Sequence, residues 1–308
     1  MAMSYFLRLF GRFLKWVIYI GLGLGAIVAV IGFFAIRALI SPPSDQFGNV
    51  LDEAMTVGRT VDTFPGADEE YFAEMDHGLL VKPADGQPYP DEILQVANDL
   101  GIEPEEVRQR AIKGQNMWLV WTGGNDRFWE FAALNTIGAF DLLKLISNHP
   151  SQAYGRHNRF RYNGMINEPC YEKETGPRED RFGLWLDTRK DDCDADPFAN
   201  GDKYPGVAIG GRGKNGTEVG SYYGEATGVI GLRLFANPDF DDAAAARWDP
   251  EKYYNDETYY NDADLVRPYR VGMSCAFCHV GPNPTNPPSN VEEPTYAELT
   301  SNPGAQYY

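Results

Sequence analysis

Residues 16–36 read WVIYIGLGLGAIVAVIGFFAI, an uninterrupted run of 21 uncharged and mostly apolar residues. A helix of that length spans the hydrocarbon core of a bilayer. Arg8, Arg12 and Lys15 precede the run and only Arg37 follows it closely. Cationic flanks stay on the cytoplasmic side, so this asymmetry predicts an N-terminus inside and the rest of the chain outside. No small-x-small cleavage pattern follows, which predicts an uncleaved anchor in place of a signal peptide. Gly21, Gly23 and Gly25 make one side of the helix small. The spacing Gly21-xxx-Gly25 suits close packing on a second membrane helix.

Working outward, three segments are expected: a cytoplasmic N-terminus and anchor over 1–40, a Pro-, Asp- and Gly-rich spacer with loops over 41–90, and a domain over 91–308. The charge is divided the same way. The chain has 27 basic and 44 acidic residues, but residues 1–40 hold four of the basic ones and none of the acidic. Residues 41–308 therefore carry 23 basic against 44 acidic residues, a net of −21. Such a body repels nucleic acid and anionic membrane surfaces, and a basic partner suits it.

Apolar periodicity predicts a helix over Asp91–Leu100 stopped by Gly101, and a second from Pro104 to about Ile112. A third is expected from Asn125 or Asp126 to just before His149-Pro150. From 151 to 270 short apolar pieces alternate with Gly, Pro, Asn and Asp, which predicts long ordered loops with a few short strands. GGRGKNG at 210–216 lacks the Lys-Ser/Thr ending of a phosphate loop. The aspartates of 239–264 lack the glycine and distal glutamate of an EF-hand and read as acidic surface. The expected fold class is mainly α with long ordered loops and few short strands, carried by a single N-terminal transmembrane helix.

Ser274-Cys275-Ala276-Phe277-Cys278-His279 contains C-x-x-C-H, the attachment pattern for a c-type haem. Two thiols three residues apart can add to the two vinyl groups of one porphyrin, and the adjacent imidazole then lies beneath the iron. Cys275 and Cys278 are thus the expected thioether attachments of one covalent haem c, and His279 its proximal ligand. A zinc site needs a second ligand pair of similar spacing, and a redox-active C-x-x-C sits in a small βαβ domain. Cys170 and Cys193 remain as candidates for a structural disulfide, in the oxidising compartment that this topology gives the domain.

Only 29 residues follow His279 and none is Met or His. A methionine ligand downstream of the motif is therefore absent from this sequence. A sixth ligand would come from upstream, from another chain, or not at all, and its identity is a main lever on potential and reactivity. The upstream candidates are His77, His149, His157, Met55, Met75, Met117 and Met165, with His157 or His149 ranked first. The proline-rich VGPNPTNPPSN that follows the motif cannot continue a helix and predicts an extended strap along the haem edge.

The runs WTGGNDRFW, NEPC at 167–170, RFGLWLD at 181–187, GSYYGEATGVIGLRLF at 220–235 and RPYRVGMSCAFCHVGPNPTNPP at 267–288 resemble a group of large bacterial periplasmic c-type cytochromes, most of them uncharacterised. That group is loosely similar to the di-haem cytochrome c peroxidase and rubber oxygenase class. The resemblance covers about two-thirds of the chain and carries over Cys275, Cys278 and His279 alone. It also implies a second haem-binding half, whereas this sequence stops at Tyr308, soon after the first motif.

The resulting expectation is a protein of the bacterial inner membrane, single-pass, with its haem domain in the periplasm. It would transfer electrons to or from a redox partner, in or beside a larger membrane complex. The alternatives are a haem enzyme of peroxidase or oxygenase type, which needs an open iron position, and a structural haem subunit of a membrane complex.

Overall fold

Ala2–Ile40 forms one helix, α1. Within it Leu14–Ala38 has a mean hydropathy of 2.5 and is long and apolar enough to cross a membrane. At 1.5 Å per residue these 25 residues extend about 37 Å. Trp16, Leu22, Val28, Ile31 and Phe34 all stand exposed. A methyl group placed on Gly21, Gly23 or Gly25 would meet nothing within 4 Å. The computed structural model describes residues 2–40, 60, 64–122, 124–136, 138, 140–206 and 220–301, and the chain divides into two units, Met1–Ser44 and Asp45–Tyr308. The GGRGKNG loop and Met55 lie outside the described residues.

The second unit is mainly helical with few short strands. Helix α2, Asp91–Leu100, carries Asp91 and Glu92 in its first turn, where the helix dipole favours them. Gly101 stops it in the left-handed region (φ 65°), its N–H reaching Ala97 and Asn98 carbonyls. Pro104 then opens α3, Pro104–Val120. Ile93 and Ala97 of α2 pack with Val107 and Ile112 of α3 and with Ala73 and Leu80 from the preceding loop. The segment from Phe64 to Leu80, read as spacer and loops, thus contributes to the core: Ala67, Phe72 and Met75 are all buried.

Two helix boundaries differ from expectation. Helix α3 runs eight residues beyond Ile112, through Gly114. Its extension is held by tertiary contacts, because Gln115, Asn116, Leu119 and Val120 are buried and Asn116 donates to the carbonyls of Ala67 and Glu69. The single long helix expected from 125 to 148 is instead two, α4 (Asp126–Asn135) and α5 (Leu142–Leu145). Thr136 bonds back to the Ala132 carbonyl at 2.6 Å, and Gly138 takes a φ of 71° against Tyr260. The chain then turns so that Asp141 caps α5 and meets the buried Arg267 at 2.9 Å. Apolar periodicity continues across that break and so could not reveal it.

Helix α6, Arg159–Asn163, carries the buried Arg159. Strands β1 (Tyr171–Glu172) and β2 (Thr188–Arg189) pair antiparallel. Strand β4 (Leu232–Ala236) lies between β3 (Glu225–Ala226) and β5 (Tyr269–Met273), also antiparallel, with Leu234 opposite Val271. Three of the seven aspartates of 239–264 act as helix caps. Asp241, Asp249 and Asp256 precede α7 (Asp242–Arg247), α8 (Pro250–Asn255) and α9 (Glu257–Tyr260), each accepting a backbone N–H of the helix it opens.

Two cores result. One gathers Phe72, Leu119, Phe198, Tyr204, Tyr222, Tyr223 and Ala276, and the other Leu142, Ile146, Leu184, Leu232, Tyr253 and Val271. The second is threaded by charge. Asp187, fully buried, receives Arg156 at 3.2 Å and Arg159 at 3.1 Å, and Asn148 at 2.6 Å. Removing one member of such a group leaves a buried charge uncompensated.

Candidate functional site

Strand β5 delivers the C-x-x-C-H segment onto a single helical turn, α10, Ala276–His279, with Cys275 as its N-cap. Cys275, Cys278 and His279 stand at i, i+3 and i+4, the spacing that places side chains on one face of a helix. Both thiols are unpaired, Cys275 exposed and Cys278 half-buried.

The turn is fixed from three sides. The Ser274 hydroxyl donates to the Leu119 carbonyl at 2.7 Å, and the Ser274 N–H to the Gly231 carbonyl at 2.8 Å. Gly231 holds a φ of 81° so close to the turn that a Cβ there would lie 2.2 Å from the Phe277 nitrogen. Asn125 clasps Met273 through two bonds, accepting from its N–H at 3.0 Å and donating to its carbonyl at 2.6 Å. The sequence named Asn125 only as a helix start and Ser274 only as the head of the motif, and gave Gly231 no role. Only the glycine left a signal, as the second Gly of GVIG.

Helix α3 packs against α10 and brings Trp118 beside His279, with ring centroids 5.4 Å apart and planes at 53°. The Trp118 indole nitrogen is buried and has no acceptor among the described residues. A buried donor without a partner is costly, and it marks a place that an added group can satisfy. Beyond the turn the chain forms β6 (Gly281–Pro282), paired antiparallel with β7 (Leu299–Thr300). Asn283, fully buried, follows β6, and its backbone N–H donates to the Glu298 carbonyl at 2.8 Å.

The histidines occupy three different surroundings. His149 is buried, stacked on Tyr254 at 4.1 Å, with Nδ1 2.7 Å from the Ser151 hydroxyl and Nε2 3.6 Å from Glu251. Burial pushes its pKa down, favouring the neutral ring. These contacts describe a packed core histidine. His157 is exposed, with Nδ1 3.2 Å from the Lys173 ammonium, in a groove beside Cys170 and Cys193. His77, ranked below both in the sequence reading, is the one whose described contacts reach the segment after the motif. Its Nδ1 lies 3.5 Å from the Asn283 amide and 3.4 Å from the Thr285 hydroxyl. Among the methionines, Met75 and Met165 are buried, and the Met117 sulfur accepts from the Tyr223 hydroxyl at 3.4 Å.

Cys170 and Cys193 are joined by a disulfide, their Cα atoms 5.8 Å apart. Near it, burial pushes the Glu168 carboxyl up to about 7 from an ordinary 4.5, opposed by Arg233. Its described side-chain bond comes from the Tyr296 hydroxyl at 3.3 Å.

No family model matches the chain, and no curated protein or solved structure does either. The site must therefore be argued from its own chemistry. Among the described residues no group of three or more His, Cys, Asp or Glu side chains is placed to hold a bare metal ion. Two unpaired thiols and one imidazole do stand together on a single turn.

Proposed function

We propose that this chain is a membrane-anchored c-type cytochrome that transfers electrons outside the cytoplasmic membrane, in or beside a membrane complex. The observation that carries the reading is the pairing of the cysteines: Cys170 and Cys193 are joined, while Cys275 and Cys278 stand unpaired beside His279 on one turn. Under this reading Cys275 and Cys278 hold the haem through thioether bonds and His279 is the proximal ligand. When bound, the haem supplies one-electron iron chemistry, tuned by axial ligation and by the polarity around it.

The chain's own residues hold and orient. Ser274, Gly231 and Asn125 fix the turn, and Trp118 lies beside the His279 ring. The orphaned Trp118 N–H offers a hydrogen bond to a group bound there. Helix α1 would fix the domain to the inner membrane with the haem on the periplasmic side, following its cationic N-terminal flank. The acidic body would favour a basic redox partner. The resemblance to large bacterial periplasmic c-type cytochromes points the same way.

The test is an absorption spectrum of the purified full chain, oxidised and reduced, during a potentiometric titration. A covalent haem with a reversible one-electron wave is expected. A chain without haem, or a haem that cannot be reversibly reduced, overturns the reading. Carbon monoxide binding to the reduced form would favour the peroxidase- or oxygenase-like alternative.

A further inference from the structure

Behind the C-x-x-C-H turn lies a file of oxidisable rings. Trp118 sits 5.4 Å from His279. Trp121, the C-cap of α3, follows Trp118 by three residues. Its ring centroid lies 5.6 Å from Tyr223, and Tyr223 lies 5.0 Å from Tyr204. The file ends on a base: the Tyr204 hydroxyl donates to the Glu69 carboxylate at 2.6 Å. Glu69 is partly exposed and pairs with the half-exposed Lys203 at 2.7 Å.

We infer that Trp118, Trp121, Tyr223 and Tyr204 form a route by which an oxidising equivalent leaves the haem site and comes to rest on Tyr204, with Glu69 taking the phenolic proton. The inference rests on the haem reading above and, for its peroxide step, on the open iron position of the peroxidase-like alternative.

Three hydroxyls in this core distinguish the rings. Tyr204, Tyr222 and Tyr223 are all fully buried. Phenylalanine would fill the same space without a polar atom to satisfy, so each hydroxyl needs its own partner. Tyr222 donates to the Pro65 carbonyl and Tyr223 to the Met117 sulfur, neither of which can accept a proton outright. Tyr204 alone of the three donates to a carboxylate in its described bonds. Burial raises the pKa of its phenol, and the bond to Glu69 raises it further. Ionisation before oxidation is thereby disfavoured, and Glu69 stands where it can take the proton as the electron leaves.

Indoles and phenols yield electrons only to strong oxidants, so the route operates after a peroxide has oxidised the haem site. In that step the peroxide takes two electrons and two protons and becomes two waters. Tyr204 then returns one of the two electrons through Tyr223, Trp121 and Trp118, its O–H bond breaking as the proton passes to Glu69. The haem site keeps the second oxidising equivalent until the reset pair returns another electron by the same route. A neutral tyrosyl radical and a protonated Glu69 remain. A one-electron reductant at the surface, such as a thiol, resets the pair by supplying an electron while Glu69 gives the proton back.

The experiment treats the full-length protein with hydrogen peroxide, freezes it within milliseconds to seconds, and reads the radical by electron paramagnetic resonance. Each sample's optical spectrum is recorded first. The wild-type chain is expected to show a tyrosyl signal that falls several-fold in Tyr204→Phe. In Glu69→Gln the same radical should form several-fold more slowly. Unchanged radical yield and rate in both variants, with the haem spectrum intact, overturns the relay and leaves the cytochrome reading standing. Absence of covalent haem in the wild-type spectrum overturns both.

Discussion

The two cysteine pairs of this chain sit on opposite kinds of backbone. Cys170 and Cys193 flank the β1–β2 ladder, in which Tyr171 faces Arg189, and the returning chain is fastened by the Lys190 N–H donating to the Cys170 carbonyl. Strand register folds two distant residues together, and they are joined. Cys275 and Cys278 need no folding to be near each other, because one helical turn sets them side by side, and they remain unpaired next to an imidazole. Short sequence separation is therefore no guide to which thiols bond here. The pair closed by the hairpin staples the domain, while the pair on the turn is left available for chemistry.

Replacing Cys275 and Cys278 together by alanine should separate the two roles most sharply. Covalent haem is expected to be lost completely, as read by mass spectrometry and a haem-stained gel, while the Cys170–Cys193 bond survives thiol mapping. Haem retained covalently in that variant would break the comparison. The converse change, Cys170→Ser with Cys193→Ser, should cost about 3–4 kcal/mol of stability, the loop-closure value for cysteines separated by 23 positions. Denaturant unfolding measures it, and haem attachment should persist. A loss of stability in the first variant equal to that in the second, with haem already absent from both, would erase the distinction.

A smaller effect concerns the acid beside the staple. The Glu168 carboxyl is raised by burial to about 7 in the folded chain, against an ordinary 4.5. The folded state consequently binds the proton more tightly than the unfolded state. Its stabilising contribution is complete below pH 4.5 and is lost as pH rises through 7, amounting to about 2 kcal/mol between pH 5 and 7. Glu168→Gln should flatten that part of the stability profile and leave the haem spectrum unchanged. A slope as steep in the variant as in the parent would assign the effect to other groups.

Local chemistry made several elements legible. Asp91–Leu100 is marked by acidic residues at its start, apolar spacing within and Gly101 after it, and these signals act over a few residues. The length and apolarity of α1 are likewise carried by its own residues. The break between α4 and α5 was not legible, because it depends on Gly138 meeting Tyr260 and on Asp141 meeting Arg267, more than a hundred residues away in sequence. The cap roles of Asp241, Asp249 and Asp256 were readable in principle, since each precedes a short helix at a spacing of seven or eight residues.

For the candidate site the division is similar. C-x-x-C-H suggested the haem attachment proposed above, and the disulfide capacity of the other two cysteines and the membrane length of the run at 16–36 were legible because they depend on residue type and distance along the chain. What surrounds the motif was decided by tertiary contact: Trp118 beside His279, Gly231 under Phe277, His149 stacked into the core, and the file of rings ending on Glu69. Those relations join segments from 69 to 279, and side-chain packing across such separations leaves no local pattern to read.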